Sequence, residues 1–147
     1  MFKNIKRNIV KMFRELLVYH NNSLEFRAKL LTLMVASDNE ITPCEDRLLR
    51  EIANEIYSDN SDRAELLIDT VYEYAIKIKT DNGLNFEHLI MLVERETSSV
   101  KRFEKKINIE ALSRFQECIE DEDDKIFNQR ILEFLGSLKR EYGDKSN

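Results

Sequence analysis

The only proline of this 147-residue sequence lies in the segment from Thr42 to Glu45, which carries three signals of a helix start. Thr42 is suited to the N-cap, Pro43 to the first helical position, and Glu45 to closing a capping box with Thr42. Residues 30–36, which precede it, are apolar on nearly all sides, as in a helix at the centre of a core. We therefore predict a helix, an acidic turn and a second helix between residues 24 and 57.

Helical spacing of apolar residues continues along the chain, marks the core-facing side of each helix and favours an all-α fold. Asn85 is suited to an N-cap, Phe127 falls on the inward side of the last helix, and residues 100–119 form one helix or two. Three glycines and one proline leave few tight turns, and a charged fraction of 35% is typical of amphipathic helices. We predict a single compact helical domain of about seven helices, long enough to bury a core without disulfides. Cys44 and Cys118 have no second cysteine or histidine at zinc-ligand spacing, so we interpret each as a small core residue.

The domain is expected to carry two short extensions. We predict a basic amphipathic helix over residues 1–20, the helical domain over 21–143 and a disordered tail over 144–147. No run reaches the roughly 18 apolar residues of a membrane span, and the N-terminus lacks an apolar segment followed by a small-residue cleavage site. These features predict a cytoplasmic protein, either free or peripheral to the inner face of the membrane.

Basic residues are concentrated at the N-terminus, although the net charge of the chain is −5. Residues 1–20 hold one acidic residue, Glu15, and five basic ones, whereas the rest of the chain holds 18 basic and 27 acidic residues. The acidic body argues against nucleic-acid binding. The N-terminal helix either adsorbs on anionic lipid or packs on the core with its basic side toward water or the acidic body. Its basic side chains are Lys3, Lys6, Arg7, Lys11 and Arg14.

Two acidic segments each lead into a predicted helix. The first contains Asp38, Glu40 and Glu45, and the second is a run of five acids that includes Asp121 and Asp123. A shift of 83 residues places Asp38 on Asp121 and Glu40 on Asp123, which indicates a degenerate repeat of an acidic turn followed by a helix. Closely spaced carboxylates repel unless a cation neutralises them. Acids at a helix N-terminus also stabilise it by about 0.3–1 kcal/mol each, so a structural role and a ligand-binding role are both open.

The first turn reads Asp38-Asn39-Glu40-Ile41, and it joins an apolar helix to a helix that opens with Glu45. This pattern resembles the tellurite-resistance TerB-like family, in which an Asp-Gly-Glu-Ile turn stands at this place. Asn39 replaces the glycine, and asparagine also adopts the left-handed backbone conformation. In the second acidic segment the glycine, the isoleucine and the later glutamate of the motif are missing.

The resemblance spans residues 24–141 and implies a mostly helical module linked to bacterial tellurite resistance and stress responses. It also implies an acidic surface that binds divalent cations, and oxygen ligands suit calcium or magnesium. An EF-hand is excluded because Leu49 stands at the twelfth loop position counted from Asp38. The implied metal ligands are Asp38, Glu40, Glu45, Asp121 and Asp123.

We therefore expect a non-enzymatic scaffold or sensor that acts through its acidic surface. The alternative is a membrane-associated adaptor that uses the basic N-terminal helix. A metal-dependent hydrolase is least favoured, because it needs a general base or nucleophile with a supporting partner. Neither His20 nor His88 stands at a useful spacing from a carboxylate cluster.

Overall fold

The computed structural model describes residues 23–36 and 40–143, and within them the chain is helical without strands. These residues form six α-helices and two short 3-10 helices around one hydrophobic core, which confirms the predicted all-α domain. The predictions for residues 1–20 and 144–147 lie outside the described residues. In chain order the helices are α1 Ser23–Val35, α2 Pro43–Ile56, α3 Ser61–Lys79, α4 Phe86–Ser99, η1 Lys101–Lys106, α5 Ile109–Ser113, η2 Arg114–Cys118 and α6 Glu122–Gly143.

Helix α1 forms the centre of the core. Eleven of its 13 residues are buried, and it packs against α3, α4, η1, α5 and α6. Its apolar side chains therefore meet neighbours on every side, as the sequence predicted for residues 30–36. Two charged residues, Glu25 and Lys29, are buried with them.

The helices begin where short polar side chains can accept hydrogen bonds from backbone N–H groups of the first turn. Thr42 does so for α2, Asn60 for α3, Asn85 for α4 and Asn108 for α5. Asp121 does the same for α6, because its Oδ1 atom accepts from the first-turn N–H groups. Such a cap typically stabilises a helix by about 1 kcal/mol. The predicted caps at Thr42 and Asn85 are confirmed.

Residues 100–119 contain three short elements instead of one or two regular helices. The 3-10 helix η1 ends at Lys106, Asn108 caps the five-residue α5, and η2 follows directly. The large apolar residues Phe103, Ile107 and Phe115 are nevertheless fully buried. The break at Asn108 turns the chain so that these side chains reach the core from separate elements.

Phe127 was expected to face the core, but 41% of its surface is exposed. It lies near the start of α6, and its ring contacts Phe86 at the start of α4, with ring centroids 5.4 Å apart. The residues of α6 that are buried, among them Ile131 and Leu135, lie further along the helix. Asn128, next to Phe127, is also buried, so only the side of α6 that carries Phe127 lies outside the core.

Candidate functional site

The predicted capping box is present at the start of α2. The backbone N–H of Glu45 donates to Thr42 Oγ1 at 3.2 Å, and the backbone N–H of Thr42 donates to Glu45 Oε1 at 3.0 Å. Glu45 is only 2% exposed. Its carboxylate therefore has a structural role in starting the helix, and this part of the proposed ligand set is explained by capping.

Glu40 lies on the surface just before α2. Its Oε1 atom is 3.2 Å from Lys79 Nζ at the end of α3, and both side chains are largely exposed. Such a surface ion pair typically contributes between 0 and about 1 kcal/mol. The pair leaves Glu40 accessible to other cations. Asp38, the third carboxylate of this predicted site, lies outside the described residues.

The second acidic segment is built differently from the first. Asp121 Oδ1 accepts from the backbone N–H groups of Asp123 at 2.8 Å and Asp124 at 3.1 Å, so Asp121 caps α6 and Asp123 lies inside its first turn. The repeat aligns Glu40 with Asp123, but Glu40 precedes α2 by three residues. Aspartate is a good N-cap, so α6 starts next to Asp121. In the first acidic segment the helix starts further along the chain, at Thr42 and Pro43.

The described residues, 23–36 and 40–143, contain no group of three or more histidine, cysteine, aspartate or glutamate residues placed to hold a metal ion. Glu45 and Asp121 instead accept hydrogen bonds from their own helix starts. The exposed carboxylates of Glu40, Asp121 and Asp123 can attract cations through their combined field.

The two cysteines form a disulfide, and the interpretation of each as a separate core residue was wrong. Cys44 in the first turn of α2 is bonded to Cys118 at the end of η2, with their Cα atoms 5.6 Å apart. Both residues are half-buried. They are separated by 74 residues, so nothing local signals the pairing. The packing of η2 on α2 brings them together, and the even number of cysteines was the only hint in the sequence.

The disulfide brings the start of α2, which follows the first acidic segment, next to the chain that leads into the second acidic segment. Glu40 precedes Cys44 by four residues, and Asp121 follows Cys118 by three. Because a residue spans at most about 3.6 Å of extended chain, each acid lies within roughly 15 Å of its cysteine. We call the exposed carboxylates of Glu40, Asp121 and Asp123 the acidic end.

A hydrogen-bonded carboxylate beside the acidic end was not predicted. Asp46 Oδ1 accepts from the Tyr72 hydroxyl at 2.5 Å, and Asp46 Oδ2 accepts from Arg50 Nε at 3.0 Å. The hydrogen bond from Tyr72, and then Arg50, lower the pKa of Asp46. Burial and the bond to Asp46 raise the pKa of Tyr72 to about 12. Asp46 therefore adds a stable negative charge to the first turn of α2.

A second set of charged side chains lies inside the core and was also missed. Glu25 in α1 accepts a hydrogen bond from the Tyr74 hydroxyl in α3, and Lys29 Nζ is 2.8 Å from Glu96 Oε2 in α4. Burial and the negative charge of Glu25 raise the pKa of Tyr74 above its ordinary value. These pairs link α1 to α3 and α4. Charged residues four positions apart on a helix, such as Glu25 and Lys29, usually indicate its solvent-exposed side. Only the packing shows that these two are buried.

No protein-family model, curated protein or solved structure matches this chain. The TerB-like resemblance therefore stays a prediction that rests on the turn and helix start around Glu40 and Glu45. In the described part of the chain, no helix has the length and apolar character needed to cross a membrane. Disulfides persist in oxidising compartments and are rare in the cytosol, so the redox state of Cys44 and Cys118 in the cell tests the predicted cytoplasmic location.

Proposed function

We propose that the protein is a non-enzymatic, TerB-like helical module that works as a scaffold or sensor through its acidic end. The observation that carries this proposal is the Cys44–Cys118 disulfide, because it joins the starting turn of α2 to the chain that leads into the second acidic segment. On this proposal, two segments that are far apart in sequence act as one surface. The buried helix α1 and the capped start of α2 at Glu45 support the family resemblance.

The chemistry of the acidic end suits a cation more than a covalent reaction. Glu45 and Asp121 use oxygen atoms to cap α2 and α6, which fixes the position of the surrounding turns. Glu40 and Asp123 are exposed, so they are available to a divalent cation or to a basic segment of a partner protein. Oxygen ligands favour calcium or magnesium. A response to such a cation would make the module a sensor.

A calcium and magnesium titration followed by thermal melting tests the proposal. If the dissociation constant is micromolar, millimolar cation stabilises the fold by about 4 kcal/mol and raises the melting temperature. The variant Glu40→Gln/Asp121→Asn/Asp123→Asn should lose this shift. Asparagine is as good an N-cap as aspartate, so the start of α6 is preserved.

The matched control neutralises acidic residues elsewhere, in Glu87→Gln/Glu110→Gln, and should keep the full shift. Titration with a decalysine peptide measures attraction of a basic partner in the same proteins. Binding of the peptide without a calcium or magnesium shift would remove the cation from the proposal and keep the scaffold. If neither cation nor peptide binds the wild-type protein, or if the triple variant binds as wild type, the acidic end has no such role.

A further inference from the structure

A pocket of about 280 Å³ lies between α1, α2, η1 and α5, and its lining residues are outside the two acidic segments. Its floor is apolar and belongs largely to the hydrophobic core. Three cationic side chains, Arg27, Lys105 and Lys106, line it together with Glu55. An apolar concave surface with a few converging polar groups is the usual form of a small-molecule site. The floor consists of Leu30, Leu31, Ile52, Ile56, Ala111 and Leu112.

The cationic side chains of this pocket have no carboxylate partner in the described part of the chain. Glu55, the acidic residue of the lining, does have a cationic partner. The Arg27 guanidinium donates to the Tyr57 hydroxyl at 3.3 Å and lies 5.5 Å from the centre of the Tyr57 ring. Glu55 is held by Arg114, whose Nη1 atom is 3.0 and 3.2 Å from the two carboxylate oxygens. Arg114 also donates to Glu51 Oε2 at 2.9 Å, so it offsets only part of the charge of Glu55. The three cations have no such ion pair among the described residues.

The concentration of positive charge in this pocket has an electrostatic cost. Partial burial, followed by the charges of Arg27 and Arg102, lowers the pKa of Lys106. Like charges that converge disfavour the charged state unless an anion is present. The protein has a net charge of −5, so acidic partners for surface lysines and arginines are plentiful. The absence of such partners for Arg27, Lys105 and Lys106 is therefore notable among the described residues. A bound anion would remove the repulsion.

We propose that this pocket binds a small amphipathic anion, with a carboxylate or phosphate head at Arg27, Lys105 and Lys106 and a short alkyl body on the apolar floor. The contact with Tyr57 holds the guanidinium of Arg27 in place by a cation–π interaction and one hydrogen bond. Arginine has five N–H donors, so others are left for the ligand head. Lys106 supplies a second charge from η1. The apolar floor distinguishes this ligand from a free inorganic anion.

Titration of the full chain with four probes tests the chemistry, by calorimetry and by amide shifts in NMR spectra. Octanoate and octyl phosphate carry both the head and the alkyl body, 1-octanol lacks the charge, and acetate lacks the alkyl body. We expect the better of the two octyl anions to bind at least about tenfold more tightly than octanol and acetate, which corresponds to about 1.4 kcal/mol, since octanol lacks the charge-assisted contact and acetate lacks the apolar burial. The relative affinity of octanoate and octyl phosphate identifies the head group. Amide shifts should map to residues 27–31, 52–56 and 105–112.

Substitutions then assign the charges. Arg27→Met and Lys106→Met keep much of the aliphatic stem, and the double variant should weaken binding of the octyl anions by about tenfold or more. Lys101→Met changes an exposed lysine of the same element, η1, that does not line the pocket, and should bind as wild type. Binding should also raise the pKa of the Lys106 ammonium, measured by NMR of its side chain.

Three results would overturn this proposal. They are octanol binding as tightly as the octyl anions, affinity in the double variant within twofold of wild type, and amide shifts confined to another surface. If the double variant does not fold, the salt dependence of octanoate binding to the wild-type protein decides, because a charge-driven complex weakens with salt. An affinity that salt does not change would equally reject the cationic site. None of these results depends on the acidic end, so the two proposals can fail separately.

Discussion

Replacing both cysteines, in Cys44→Ala/Cys118→Ala, should lower the free energy of unfolding by about 4 kcal/mol. The bond closes a loop in which the two residues are 74 positions apart. For a loop of this size the chain-entropy relation gives about 4 kcal/mol at 25 °C, because the unfolded chain regains the freedom that the cross-link removed. This is a large part of the 5–15 kcal/mol typical of a domain's total stability, so the melting transition should move visibly.

Urea denaturation followed by circular dichroism measures the change. With a slope of about 2 kcal/mol per molar urea, the midpoint should fall by about 2 M. Wild-type protein reduced and alkylated at both sulfurs should fall in the same direction. The variant Ser58→Ala, which changes an exposed residue remote from the bond, is a control for the substitution itself and should stay within about 0.5 kcal/mol.

The disulfide also predicts the thiol chemistry of the unfolded protein. Protein unfolded without reductant should show no thiol that reacts with an alkylating reagent, because Cys44 and Cys118 are bonded to one another. Two reactive thiols in protein purified under oxidising conditions would show that the bond does not form. If the bond is present and the double variant still unfolds within about 1 kcal/mol of wild type, the loop-entropy account would be refuted.

Three further predictions address Tyr72, Tyr74 and the N-terminal segment. Tyr74→Phe removes the hydroxyl that donates to the buried Glu25 carboxylate and should cost about 2 kcal/mol in urea denaturation; an unchanged midpoint would contradict a structural role. The pKa of Tyr72 is raised from 10.0 to about 12 in the folded protein, so its contribution to stability is complete below pH 10 and is lost between pH 10 and 12. Tyr72→Phe should therefore flatten the fall in stability over that range, and an equally steep fall would reject this explanation. Full-length protein should sediment with anionic vesicles if residues 1–19 adsorb on lipid, whereas protein that lacks them should not; full-length protein left in the supernatant would reject the membrane alternative.

The predicted helices and their starts were confirmed where the signal is local. The capping box at Thr42 and Glu45 requires only residues three positions apart, and the N-cap at Asn85 requires one side chain and its own next turn. Helical spacing identified most of the core because the same apolar stripe directs packing in any compact fold. It failed at Phe127, since a stripe does not show where the neighbouring helices end.

The predicted site was only partly decided by sequence. Local pattern identified the carboxylates, but their uses depend on neighbours that the sequence does not show, such as Lys79 beside Glu40. The repeat also did not predict that α6 starts directly after Asp121, whereas α2 starts at Pro43, five residues after Asp38.

The sequence by itself determined that this chain is a bundle of short amphipathic helices with a capped start at Thr42 and two acidic segments, since these features depend on residues a few positions apart. Only the tertiary structure decided that Cys44 and Cys118 are bonded, that Glu25 and Lys29 are buried, and that Arg27 and Lys106 line one pocket. These relations join residues far apart along the chain, and they depend on the relative packing of whole helices, which no local pattern encodes.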